Sequence, residues 1–263
     1  MAHVLRNTGK RAAGWLISHS ARQYRYRNCL FVLAHMRCGS TALSNILCSR
    51  PDVSGYGETH VRHDGRAALG QLALNQLRRG GRKPQADYLF DKVLHSRYDL
   101  EAPPEFFHAR AVFMVRRPGD AIRSIVKLFR RVGKNEYRTQ EAAAAYYVER
   151  LAALETLWRR FPPDRRIGLT HKALLRDPAR QLAAISARLK LVPPLVNRYD
   201  SPPASRQGGG GDPLTSGRYA RIEPRLHDPH ADAPLEIPPE LAAQCEDRYL
   251  RLCDLYSEDR GKA

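Results

Sequence analysis

Residues Phe31 to Ser49 read FVLAHMRCGSTALSNILCS, and this stretch decides the fold. It begins inside the apolar run Cys29 to Ala34, which is short and continuous, as is typical of a buried parallel strand. From Thr41 onward apolar residues recur at helical spacing, so a helix is expected to start there. A strand, a glycine-containing loop and a helix in this order form the opening unit of a nucleotide-binding α/β sheet.

The loop between this strand and this helix carries the groups that bind an oxyanion. A helix N-terminus offers N–H groups without intrahelical partners and the positive end of a dipole. Gly39 lets the backbone approach a ligand closely, while Ser40 and Thr41 add hydroxyl donors. Arg37 adds a forked cation. The sequence therefore predicts a phosphate or sulfate site in this loop.

Two known types of phosphate-binding loop fit this sequence poorly. An ATP-binding loop has the pattern GxxxxGK[ST], and its lysine contacts the β- and γ-phosphates, but here Cys38 precedes Gly39. A cysteine phosphatase needs an arginine six residues after its nucleophile, and position 44 is serine. Cys38 is therefore interpreted as a small residue tolerated in the loop. We keep a kinase with a degenerate P-loop as an alternative interpretation of the chain.

The rest of the chain repeats the pattern of strand, turn and helix. Ala111 to Val115 forms a second apolar run, followed by a basic turn and a helical pattern. Tyr88 to Leu94 and Arg166 to Thr170 are further short strands, and Glu141 to Phe161 is a long alanine-rich helix. The expected fold class is α/β, with a P-loop-like central parallel β-sheet flanked by α-helices in a single domain.

Composition divides the chain into two parts, and the second part contains a long loop. Residues 1–27 form a basic N-terminal segment, and residues 28–263 form the domain itself. Within that domain, residues 197–235 are rich in proline and contain a glycine run, so they are expected to form a long flexible loop near the active site.

The charge of the chain points to anionic partners. The formal net charge is +17 and the isoelectric point is near 10.1, which is compatible with a nucleic acid, a membrane surface, a nucleotide cofactor or an acidic substrate. A basic nucleic-acid-binding protein is therefore a second alternative, although no RNP, zinc-finger or helix-turn-helix pattern is present. The five cysteines include no CxxC pair, so no zinc site is expected. Without a bilayer-length apolar stretch or a signal peptide, the protein is expected to be cytoplasmic.

Three segments resemble the PAPS-dependent sulfotransferase family, where PAPS is 3′-phosphoadenosine 5′-phosphosulfate, and in particular its carbohydrate-type and bacterial branches. Arg37 to Thr41 is similar to the 5′-phosphosulfate loop, commonly written R-S-G-S-T/S. Val115 to Ser124 is similar to the 3′-phosphate motif R-x-P-x-x-x-x-x-S. His171 to Pro178 is similar to Y-E-D-L-x-x-D-P, but Lys172 replaces the glutamate, which leaves that segment a structural role. The order and spacing of the motifs are more specific than any one of them.

The resemblance implies a function and a set of residues. The chain would transfer a sulfuryl group from PAPS to a hydroxyl of a small-molecule, carbohydrate or lipid acceptor by in-line displacement, with no metal required and no specific nucleic acid as partner. The residues that the resemblance implies for binding the donor are Arg37, Cys38, Gly39, Ser40, Thr41, Ala42, Arg116, Ser124 and Arg218. The sequence defines neither the acceptor nor the oligomeric state.

The acceptor hydroxyl must lose its proton, so a base is required near the sulfur. The resemblance points to the segment Gly57 to His60, where carbohydrate-type members have a glutamate. Glu58 is the first candidate base, and His60 is its rival because the ordinary pKa of histidine is nearer neutrality. Arg37 is the expected catalytic cation. Lys92 is interpreted either as a second cation near the transferred group or as a surface lysine.

Overall fold

The computed structural model describes residues 14–19, 23–206, 211–212, 216–224 and 234–261. In these residues five strands form one parallel sheet with the order β2-β3-β1-β4-β5. The strands are β1 (Cys29–Ala34), β2 (Val53–Ser54), β3 (Tyr88–Val93), β4 (Arg110–Val115) and β5 (Arg166–Thr170). The predicted α/β fold with a central parallel sheet is thus confirmed.

Eight α-helices that lie entirely inside the described ranges flank the sheet. The helices are α1 (Ser40–Ser49), α2 (Ala67–Arg78), α3 (Pro118–Arg131), α4 (Gln140–Arg160), α5 (His171–Arg176), α6 (Pro178–Arg188), α7 (Pro203–Arg206) and α8 (Pro239–Gly261). Short 3₁₀ helices cover Tyr26–Asn28, Ser96–Tyr98, Pro104–His108 and Pro163–Arg165. Residues 14–19 are also helical.

Local chemistry fixes where several helices begin. The Thr139 hydroxyl accepts the Ala142 N–H at the start of α4, and the Thr170 hydroxyl accepts the Ala173 N–H at the start of α5. Asp177 does the same for α6, and the proline that follows it occupies the first helical turn. The aspartate and proline of the segment His171 to Pro178 therefore form a helix start, in line with the structural role predicted for that segment.

The described residues fall into two compact units. The first contains residues within 1–32, 41–111 and 198–221, and the second contains residues within 33–40, 112–197 and 222–263. In the first unit, Phe31 stacks on Phe106 with ring centroids 4.7 Å apart. In the second unit, the ring of Phe113 meets Trp158 edge-on at 5.1 Å. Each unit thus has aromatic side chains in its own core.

Two regional predictions fall partly on residues outside the described ranges. The basic segment 1–27 is described over residues 14–19 and 23–27, and the loop 197–235 is described over residues 197–206, 211–212, 216–224 and 234–235. None of the helices in the described ranges is both long enough and apolar enough to cross a membrane.

Candidate active site

The loop after β1 adopts an unusual backbone conformation. Arg37 has φ +65° and Gly39 has φ +84°, so both lie in the left-handed region that L-residues rarely occupy. A Cβ atom on Gly39 would lie 2.7 Å from Cδ2 of His171, which is closer than such atoms approach each other. Position 39 therefore requires glycine for two reasons: its backbone is left-handed, and a side chain there would clash with His171. His171, the first residue of α5, closes one side of the loop.

Two of the predicted motifs meet at this loop. The Nε of Arg37 donates a hydrogen bond of 3.0 Å to the hydroxyl of Ser124, which lies 87 positions later on α3. Nη1 of Arg116 donates to the backbone oxygen of Arg37 at 3.2 Å. Arg37, Arg116 and Ser124 thus form one cluster in the second unit. Their polar side chains can converge on an anion there, since two guanidinium groups and a hydroxyl are all donors.

Helix α4 holds the backbone on both sides of this cluster. The Tyr146 hydroxyl accepts the Met36 N–H at 2.9 Å, and the Tyr147 hydroxyl donates to the Arg116 backbone oxygen at 2.6 Å. Arg150, whose side chain is fully buried, donates from Nε to the Ala34 backbone oxygen at 3.0 Å. Sequence analysis missed these three residues, which lie on neighbouring positions of one helical face. The sequence signal for these residues was a pair of tyrosines and an arginine within a run that is rich in alanine and leucine.

His35 joins the ends of β1 and β4 directly. Its Nε2 accepts the Arg116 N–H at 2.9 Å, so the ring proton is on Nδ1, which donates to the Met36 oxygen at 2.8 Å. Burial lowers the pKa of His35 to about 3, because the charged ring would lose its hydration. The imidazole is therefore neutral and ties the loop that bears Arg37 to the turn that bears Arg116. Sequence analysis had assigned no role to this histidine.

In the first unit, Lys92 on β3 contacts both Thr41, in the first turn of α1, and the candidate base. Its Nζ donates to the Thr41 hydroxyl at 3.1 Å and lies 3.4 Å from Oε1 of Glu58. The Lys92 side chain is 1% exposed, whereas that of Glu58 is 14% exposed. Lys92 is therefore buried, and the interpretation as a surface lysine is wrong; its role as a second cation near the transferred group stays a prediction.

The segment 57–60 presents its two candidate bases differently. Glu58 is half-buried against Lys92, whereas His60 is exposed and has φ +55°. The ring of His60 lies beside the ring of Tyr98, with centroids 5.7 Å apart. Glu58 therefore lies beside Lys92, which also hydrogen-bonds Thr41. The ring of His60 instead contacts the ring of Tyr98.

The remaining predicted site residues lie in three environments. Cys38 is fully buried, while Ala42 is partly accessible in the first turn of α1. Arg218 is exposed on a short segment that is attached to α1: the Ser201 hydroxyl accepts both the Gly217 N–H and the side-chain amide of Asn45, each at 3.1 Å. The structure thus holds the residue before Arg218 against the helix that follows the oxyanion loop.

Comparison with known proteins found one family match and several similar folds. A family model described as "Sulfotransferase family" matches residues 62–192, which is close to half of the chain and includes Arg116 and Ser124. Two solved structures share the fold. One is the sulfotransferase domain of the olefin synthase from Synechococcus PCC 7002, with 19% identity, TM-score 0.57, and coverage of 84% of this chain and 94% of that one.

The other structure is the sulfotransferase domain from the curacin biosynthetic pathway. It has 16% identity and a TM-score of 0.54, and the match covers 85% of this chain and 96% of that chain. At these identities the likeness concerns the fold. No curated protein sequence matches the chain significantly.

Proposed function

We propose that this chain, whose residues 62–192 match the sulfotransferase family model, transfers a sulfuryl group from PAPS to the hydroxyl of a small-molecule, carbohydrate or lipid acceptor. One observation carries this proposal: the hydrogen bond from Arg37 to Ser124 joins two motifs that are 87 positions apart. The family resemblance assigns one motif to the 5′-phosphosulfate and the other to the 3′-phosphate. PAPS carries one phosphate on the 3′ position and one on the 5′ position of its ribose, so a protein that binds it requires such a pair of sites.

The residues of the loop fit this donor. Gly39 provides the left-handed backbone that the loop requires, and the N-terminus of α1 with the hydroxyls of Ser40 and Thr41 supplies donors for an anion. Arg116 and Ser124 would hold the 3′-phosphate, with Arg218 as a further candidate. When bound, PAPS supplies the sulfuryl group and a phosphate leaving group. Arg37 would offset the negative charge that grows on that phosphate during transfer.

Glu58 is the residue that we assign to the acceptor proton. Its carboxylate pairs with Lys92, which also contacts Thr41 in the first turn of α1, so base and cation lie beside that turn. Glu58 would take the proton from the acceptor hydroxyl as the oxygen attacks the sulfur. Lys92 would hold the carboxylate in position and add positive charge beside the equatorial oxygens of the sulfuryl group.

The test is transfer of labelled sulfonate from PAPS to a panel of phenolic, steroid, carbohydrate and lipid alcohols. The wild-type protein is expected to label at least one class. Glu58→Gln should still bind 3′-phosphoadenosine 5′-phosphate (PAP) and should lose transfer by about 10²-fold or more, in the range for a general base. His60→Gln is the matched control and should retain the wild-type rate. Full activity in Glu58→Gln together with loss in His60→Gln would reverse the assignment of the base.

A further inference from the structure

A buried aspartate next to Lys92 has no role in the chemistry described so far. The Asp91 side chain is 1% exposed and each of its oxygens has one partner. Oδ1 accepts the backbone N–H of Thr59 at 3.0 Å, and Oδ2 lies 2.9 Å from Nε2 of His63. A carboxylate this deeply buried is costly unless its oxygens are hydrogen-bonded, so both contacts matter to the fold of this segment.

His63 is set in one orientation by its surroundings. It is fully buried, and its ring lies 5.0 Å from that of Phe31 and 5.5 Å from that of Phe106. Within the described residues no group hydrogen-bonds to Nδ1 of His63. A proton on Nδ1 would be a buried donor without an acceptor, so the tautomer with the proton on Nε2 fits better. In that form His63 donates to Asp91 and fixes the plane of its carboxylate.

The contact with Thr59 connects Asp91 to the proposed base, because Thr59 directly follows Glu58. The same segment is held at two other points: the Lys92 N–H donates to the Gly57 oxygen at 3.3 Å, and the side-chain amide of Asn75 donates to the Thr59 oxygen at 3.1 Å. Asp91 provides the bond to the amide that directly follows Glu58. Without that bond, the peptide after Glu58 could rotate and move the carboxylate.

Strand β3 therefore acts on Glu58 from two consecutive positions. Successive side chains of a strand point to opposite faces. Lys92 reaches the Glu58 carboxylate itself, whereas Asp91 binds the backbone that carries it. The Lys92 ammonium lies 3.4 Å from the Glu58 carboxylate, and the Asp91 carboxylate lies 3.0 Å from the amide that follows Glu58.

We propose that Asp91 is a positioning residue for sulfuryl transfer: oriented by His63, it holds the N–H of Thr59 and so fixes the carboxylate of Glu58 beside Lys92. This inference rests on the proposed function, in which Glu58 is the base. Asp91 touches neither donor nor acceptor in this account. Its removal should therefore lower kcat and leave the KM for PAPS unchanged.

The experiment compares Asp91→Ala with Asp91→Asn at saturating PAPS and acceptor. Asp91→Ala should lower kcat between about tenfold and 10²-fold, the loss expected when a reacting group shifts by about 1 Å. Asp91→Asn should recover most of this loss, because its amide oxygen can still accept the Thr59 N–H. Its NH₂ would then face His63, which can accept a hydrogen bond only by moving its proton to Nδ1, where no described group accepts it, so part of the loss should remain.

Ser54→Ala is the matched control. Ser54 is fully buried in the same unit, donates to Gln76 at 2.7 Å and accepts the Lys83 N–H at 3.0 Å, but contacts no residue of the segment 57–60 through these bonds. Its substitution should lower the melting temperature and leave kcat unchanged. If Asp91→Ala and Ser54→Ala lose kcat equally, or if Asp91→Ala raises the KM for PAPS instead, the positioning role is wrong.

A second variant covers the case in which Asp91→Ala does not fold. His63→Phe keeps the carboxylate and an aromatic ring but removes the donor, so kcat should fall several-fold with an unchanged KM for PAPS. A folded His63→Phe protein with wild-type kcat would overturn the role of His63 in orienting Asp91. Failure of the proposed function looks different: the wild type would then transfer no label, or Glu58→Gln would be fully active. An inactive Glu58→Gln with a fully active Asp91→Ala would refute the positioning role alone.

Discussion

His35 should make the stability of this protein sensitive to mild acid. The ring is fully buried, accepts the Arg116 N–H through Nε2 and donates to the Met36 oxygen through Nδ1. Burial lowers its pKa from 6.5 to about 3. Because the folded pKa lies below the unfolded one, the unfolded chain binds more protons between these two values. The contribution of neutral His35 to the free energy of unfolding is therefore fully present above pH 6.5, and it falls as the pH drops from 6.5 toward 3.

The size of this effect follows from the shift. Each pH unit below 6.5 costs about 1.4 kcal/mol of the free energy of unfolding, until the folded pKa is reached. Between pH 7.5 and pH 5.0 the contribution of His35 should fall by about 2 kcal/mol. In His35→Gln this contribution is absent. The difference in unfolding free energy between wild type and His35→Gln should then shrink by about 2 kcal/mol over that range.

The assay is urea unfolding of both proteins at several pH values from 7.5 to 5.0. Comparing the two proteins cancels the titration of the other histidines, which they share. His108→Gln serves as the control because His108 is exposed, and its pH dependence should follow that of the wild type. If the curves of wild type and His35→Gln run parallel with pH, His35 is not a neutral buried link between the two loops.

Three further substitutions test separate contacts. Gly39→Ala should lower the free energy of unfolding by at least about 1–2 kcal/mol in urea titrations, since φ is +84° and His171 occupies the space of the new methyl; a stability equal to wild type would contradict this geometry. Lys92→Met should lower kcat at least about tenfold at saturating PAPS, because the half-buried Glu58 loses its ammonium partner; an unchanged rate would remove Lys92 from the mechanism. Tyr147→Phe should cost about 1 kcal/mol in urea titrations by deleting the bond to the Arg116 oxygen, and a cost near zero would show that this bond is replaced.

Much of the fold could be predicted because buried strands and basic loops have local signatures. The runs Cys29 to Ala34 and Ala111 to Val115 form strands β1 and β4 within one residue of the expected bounds. The long helix expected over Glu141 to Phe161 covers Gln140–Arg160. Strand β2 was missed, because two residues are too few for any periodic pattern. Helix α2 was also missed.

The contacts around the site were harder to predict, since they depend on packing between distant segments. The sequence indicated that Arg116 and Ser124 serve one ligand, but not that Ser124 would accept a hydrogen bond from Arg37. It left Lys92 open, because a lysine on a strand can face either solvent or a carboxylate. Asp91 carried no signal at all: its partners Thr59 and His63 reach it only through the fold.

The central claim is that the cluster of Arg37, Arg116 and Ser124 binds a nucleotide with phosphate on both sides of its ribose. Titration calorimetry and thermal melting with PAP, 5′-AMP and ATP with Mg²⁺ test this claim most directly. PAP at about 100 times its Kd should add about 2.7 kcal/mol of stability, which raises the melting temperature by roughly 5–10 °C, since 1 kcal/mol corresponds to about 2–4 °C for a chain near this size. PAP should bind more tightly than 5′-AMP, and Arg116→Ala should remove about 1.5–3 kcal/mol of that preference, the range for a hydrogen bond to a charged group. Equal binding of PAP and 5′-AMP, or stabilisation by ATP with Mg²⁺ and none by PAP, would contradict the account.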